Sequence, residues 1–112
     1  SNTMIYCSTE LNYDNIILSR ELLLVQVARP HRVTTPLLEP SSEEVWGGRR
    51  LVAVASHTGG GSMASGGHWR TYVLHNFVWF LLDSLPVGGE RPQQKNPFLD
   101  QEDYKIQILA FR

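Results

Sequence analysis

Every apolar run in this sequence is short. The longest unbroken one, residues 77–82 (FVWFLL), has six members, and glycine or proline clusters separate such runs along the chain. Runs of about four to eight residues, rich in β-branched or aromatic side chains and bounded by turn residues, read as strands. Five segments fit: residues 21–28 (ELLLVQVA), stopping before Pro30; residues 49–56 (RRLVAVAS), after a Trp-Gly-Gly turn signal; residues 69–74; residues 77–83; and residues 104–111 (YKIQILAF). In the last, Ile106, Ile108 and Ala110 alternate with Lys105, Gln107 and Leu109, which predicts one buried face. Residues 12–20 fit either a short helix or a further strand. The long connections 30–48 and 85–103 carry prolines and glycine pairs and do not pattern as helices.

Composition narrows the function classes. The 112 residues suffice for one compact domain with a modest core, and 42% apolar with 19% charged is ordinary for a globular chain. A net charge of −1 argues against nucleic acid as an obligatory partner, because such domains are usually strongly basic. The single cysteine, Cys7, permits no internal disulfide and suggests a reducing, cytoplasmic or nuclear setting. No apolar run approaches the roughly 20 residues of a membrane helix, so no membrane partner is expected. Residues 1–3, ahead of Met4, read as a tag scar.

The stretch His57-Thr58-Gly-Gly-Gly-Ser-Met-Ala-Ser-Gly-Gly-His68 sets a flexible loop directly before two strands that can pair as a hairpin. With the tip at His75-Asn76, Leu74 faces Phe77, Tyr72 faces Trp79 and His68 faces Asp83. Opposed residues in an antiparallel pair have Cβ atoms about 4.5–5.5 Å apart, within reach of an imidazole–carboxylate hydrogen bond. A carboxylate-oriented histidine is two-thirds of a nucleophilic triad. The same pair is also a common surface contact, contributing at most about 1 kcal/mol.

Residues 51–84 (LVAVASHTGGGSMASGGHWRTYVLHNFVWFLLDS) resemble the histidine box of the ubiquitin-specific proteases. That family has an apolar strand ending near His-x-Gly, a flexible loop, Gly-His-Tyr, a strand ending Tyr-Val, and Trp-Tyr-x-Phe-Asp-Asp. The matches are residues 51–56, His57-Thr58-Gly59, Gly67-His68-Trp69, Tyr72-Val73, and residues 79–84 ending in Asp83-Ser84. ELLLVQVAR resembles the family's Leu-x-Leu-x-Leu-Lys-Arg-Phe strand, and YKIQILAFR its closing strand. The segment IYCSTE resembles half of a Cys-x-x-Cys finger, with Glu10 in place of the second cysteine. The chain departs from the pattern at Trp69 (Tyr in the family), at Ser84 (Asp) and at Arg29-Pro30 (Arg-Phe). These departures suggest a divergent member, either of the ubiquitin-specific proteases themselves or of an outlying branch that acts on other ubiquitin-like tails, such as the SUMO isopeptidases of related fold.

The resemblance implies the C-terminal, sheet half of a papain-like catalytic domain cleaving isopeptide bonds at a ubiquitin-like C-terminal tail. His68 would be the general base and acid and Asp83 its orienting carboxylate. Gly66, Gly67, Trp69 and Ser84 would contact the tail, and the glycine loop would cover it. The family's nucleophilic cysteine opens a helix in an N-terminal half. Cys7 is not followed by a clear helix and lies too close to His68 for that half to intervene, so the nucleophile is expected from outside this chain. Cys7 with the scattered His31, His57 and His75 makes no four-ligand zinc set, and no metal or cofactor is expected. Trp46 reads as a turn anchor, Trp79 and Phe80 as core and rim of the hairpin, and Arg29, His31 and Arg32 as solvated surface. The sequence therefore reads as an α+β, predominantly antiparallel β single domain over residues 1–112. Its partners would be ubiquitin or a ubiquitin-like protein and the complementary catalytic segment. The alternatives are a catalytically inactive protein-binding module and a plain β-domain.

Overall fold

A computed structural model of the chain describes residues 2–6, 9–28, 48–58, 67–83, 92–100 and 105–112. These form one eight-stranded antiparallel sheet of β1 (Asn2–Tyr6), β2 (Thr9–Leu18), β3 (Leu23–Val27), β4 (Leu51–Thr58), β5 (His68–His75), β6 (Val78–Leu82), β7 (Gln93–Gln94) and β8 (Lys105–Phe111). The spatial order is β1-β2-β3-β8-β4-β5-β6-β7. No helix occurs among the described residues, so the expected α+β class is corrected to all-β. Residues 12–20 belong to strand β2 and its exit, not to a helix. There, Ile16, Ile17 and Leu18 suit extended backbone, and Asn12, Asp14 and Asn15 disfavour helix interiors. Cys7, Arg29, His31, Arg32, Trp46, residues 59–66 with Gly66, and Ser84 lie outside the described residues.

The last strand, β8, inserts between β3 and β4. It pairs Val25 with Leu109 on one side and Val54 with Leu109 on the other. Backbone bonds from Arg50 N to Arg112 O (3.0 Å) and from Arg112 N to Arg50 O (2.8 Å) close its end against β4. A strand at the centre of a sheet has neighbours on both edges and can be covered on both faces. Ile106, Gln107, Leu109, Ala110 and Phe111 are accordingly all buried, and the single buried face expected for this strand is not found. A bulge between Ala55 and Ser56 leaves Gln107 as the extra residue of β8, which disturbs the alternation locally.

One face of the sheet carries the core. Met4, Leu11, Val25, Val54, Tyr72, Leu81, Leu109 and Phe111 are buried together, joined by Trp79 and by Phe98 from beyond β7. Trp79 and Phe98 meet edge-on with ring centroids 5.9 Å apart. Burying side chains of this size contributes roughly 1.5–3 kcal/mol each. The other face carries Ile17, Leu24, Trp69, Thr71 and Ile108, half-buried or exposed.

Candidate functional site

The β5–β6 hairpin builds the site. Its tip is Asn76-Phe77, with His75 paired to Val78, Tyr72 to Leu81 and Thr71 to Leu82. The expected tip at His75-Asn76, with Leu74 facing Phe77 and Tyr72 facing Trp79, is therefore displaced by two in the partner strand. Leu74 pairs with Trp79 instead. Alternation fixes only which face a residue occupies, so a slip of two leaves every side chain on its expected face. Asn76 and Phe77 have φ of 48° and 63°, as a two-residue type I′ turn demands.

His68 and Asp83 become diagonal rather than directly opposed neighbours, and they still touch. His68 Nε2 lies 2.5 Å from Asp83 Oδ1. The imidazole is 42% exposed and the carboxylate 15%. With Nε2–H donating to the carboxylate, the neutral ring accepts a proton at Nδ1. The two side chains are thus brought together as the spacing suggests, through a diagonal rather than a direct pairing.

Gly67 turns the chain into β5 with φ +89°. A Cβ at this position would lie 1.9 Å from the backbone oxygen of Thr58 and 2.8 Å from His57 Nε2. Only glycine permits that approach, which sets the entry of β5 and so the position of His68. Trp69 points to the opposite face, where its ring sits 4.6 Å from the buried His57 ring at a 43° tilt. Trp69 therefore does not join His68 on the dyad's face. Its exposed edge borders a shallow groove with Ile17, Leu24 and Ile108, edged by Asn15 and Gln26.

Sequence reasoning missed the polar cluster behind the dyad. Arg70 shares a face with His68 and Tyr72, and the register sets it opposite Asp83. Its Nε is 3.8 Å from Asp83 Oδ2, and its Nη1 donates to Asp100 Oδ2 at 3.2 Å. The Tyr72 hydroxyl also donates to Asp100 Oδ2, and Lys95 Nζ lies 3.3 Å from the same oxygen. The Asp100 side chain is only 3% exposed. Burial, reinforced by the adjacent Asp100 carboxylate, pushes the Tyr72 phenol well above its ordinary 10.0, against a smaller lowering by Arg70. A turn delivers Asp100: Asn96 Oδ1 accepts from Phe98 N at 2.9 Å, and Asn96 O accepts from Asp100 N at 3.0 Å. The period-two spacing of residues 68, 70 and 72 was a usable signal for Arg70 and Tyr72. Asp100 had none, being far away along the chain.

Ser56 lies in the cross-strand row of Arg70, buried, and its hydroxyl makes no hydrogen bond among the described residues. It is not bonded to His68 and does not complete a triad. Among the described residues no three His, Cys, Asp or Glu converge as a metal site, and no helix is long and apolar enough to cross a membrane. Compared with known proteins, the chain matches no family model, no curated protein and no solved structure.

Proposed function

We propose that this chain supplies the histidine and aspartate of a thiol-dependent peptidase that hydrolyses the bond joining a ubiquitin-like C-terminal tail to an amine. A segment outside these 112 residues supplies the nucleophile. The observation that carries the reading is the 2.5 Å contact between half-exposed His68 and Asp83, held on neighbouring strand ends. The resemblance of residues 51–84 to the ubiquitin-specific-protease histidine box supports the substrate class.

In this reading His68 Nδ1 takes the thiol proton as the sulfur attacks the carbonyl of the tail's last residue. The Asp83 carboxylate holds the ring and stabilises the imidazolium. The imidazolium then gives its proton to the departing amine as the carbon–nitrogen bond breaks and a thioester remains. Water adds to the thioester with His68 again as base, releasing the tail carboxylate and the thiol.

A second reading rests on the apolar groove of Ile17, Leu24, Ile108 and Trp69, which suits a non-catalytic protein-binding module. Titrating isotope-labelled chain with ubiquitin, with SUMO and with a tail peptide ending in Gly-Gly separates the two. The peptidase reading expects chemical-shift changes at Gly67 and His68. Changes confined to the groove residues favour the module, and no change with any of the three contradicts the proposed substrate class.

A further inference from the structure

Asp83 sits where β6 ends, and the residues just after it lie outside the described set. A carboxylate at a strand end keeps rotational freedom unless something besides its partner holds it. Here the second oxygen, Oδ2, faces the Arg70 guanidinium at 3.8 Å while Oδ1 faces His68 at 2.5 Å. Arg70 is itself held at its far end, because Nη1 donates to Asp100 at 3.2 Å. Asp100 is fixed by Tyr72, Lys95 and the turn at Asn96. A guanidinium is a planar fork of fixed shape, so one Arg can span two carboxylates in a way a lysine point charge cannot.

We propose that Arg70 is a positioning residue for the dyad. Anchored by Asp100, it fixes the Asp83 carboxylate so that Oδ1 stays directed at His68 Nε2. The role rests on the peptidase reading for its purpose, but the geometry can be tested without any activity. A purely structural Arg70 would support the fold and leave the His68–Asp83 bond untouched once the chain is folded. A positioning Arg70 controls that bond in the native state. The cluster also gives the otherwise costly burial of Asp100 a use at the surface-reaching end of the network.

The test is long-range proton–nitrogen correlation NMR of the His68 ring in the intact chain at one fixed pH, reading the exchange of the Nε2-bound proton with water. The parent is expected to hold this proton in a hydrogen bond. Arg70→Met should speed its exchange about tenfold, by removing the part-buried positive charge that faces Asp83 Oδ2 at 3.8 Å. Arg70→Lys should restore part of the protection. Asp100→Asn keeps the side-chain shape but weakens the anchor, and should give a smaller acceleration; it decides the matter if Arg70→Met does not fold. Folded variants with parent-like exchange overturn the positioning role and leave the dyad standing. A parent with no protected Nε2 proton overturns both.

Discussion

The two ends of the β5–β6 hairpin are built on opposite terms. At the tip, Asn76 and Phe77 both take positive φ, and Phe77 is 76% exposed, so its ring gains little from packing. At the far end the strained position is filled by Gly67, the residue that tolerates it. There the polar side chains engage one another from His68 through Asp83 and Arg70 to Asp100. The tip only reverses the chain, so a suboptimal residue is tolerated. The far end fixes six side chains, His68, Arg70, Tyr72, Asp83, Lys95 and Asp100, against one another, so substitutions there act on several contacts at once.

Asp100, the anchor of the far end, is the most sensitive position. Asp100→Ala removes the common acceptor of Tyr72, Arg70 and Lys95, leaving the buried Tyr72 hydroxyl without that acceptor and the part-buried Arg70 guanidinium without its anchor. The expected loss is about 3–5 kcal/mol, read as a lower urea midpoint. A loss below about 1 kcal/mol, the range of exposed ion pairs, would mean that the cluster is ordinary surface.

Gly67→Ala comes next. The added Cβ would meet the Thr58 backbone oxygen, so the β4–β5 pairing must open at that end. A destabilisation of about 2 kcal/mol is expected, with amide shifts concentrated at Thr58, Gly67 and His68. Neutral behaviour would contradict the tight entry into β5.

Tyr72 sets an alkaline limit. Its phenol is held above the ordinary 10.0 in the folded chain, so above pH 10 the unfolded state releases a proton that the folded state keeps. Stability therefore falls as pH rises, by up to about 1.4 kcal/mol per pH unit. Urea midpoints at pH 9, 10 and 11 should drop more steeply for the parent than for Tyr72→Phe. Parallel curves would show that the phenol is not shielded.

The smallest expected change is a gain at the tip. Phe77→Gly creates Asn-Gly, the preferred type I′ pair, and should stabilise by about 1 kcal/mol by relieving a non-glycine positive φ. A loss instead would mean that Phe77 packs in a way its exposure does not reveal.

Much of the hairpin was legible because parity is robust. His68 and Asp83 were placed on one face from spacing alone, and an error of two residues in the tip did not move them off it. The same reasoning failed for β8, since its central place depends on a chain reversal that no local pattern encodes. The sequence of residues 12–20 also admits a helix, because its polar residues blur the alternation that marks β2. The resemblance places Trp69 beside His68 in the tail-binding set, and alternation along β5 sends the two side chains to opposite faces. Asp100 was out of reach because only the turn at Asn96 carries it back to Arg70.

The most direct test of the central claim is cleavage of fluorogenic ubiquitin and SUMO conjugates by the protein expressed from its natural gene, comparing parent, His68→Ala and Phe77→Gly. With His68 as general base, one of the two conjugates is cleaved, kcat falls at least about a hundredfold for His68→Ala, the scale of a lost general acid–base, and does not fall for Phe77→Gly. Cleavage that survives in folded His68→Ala, or no cleavage of either conjugate by the parent, would contradict the claim.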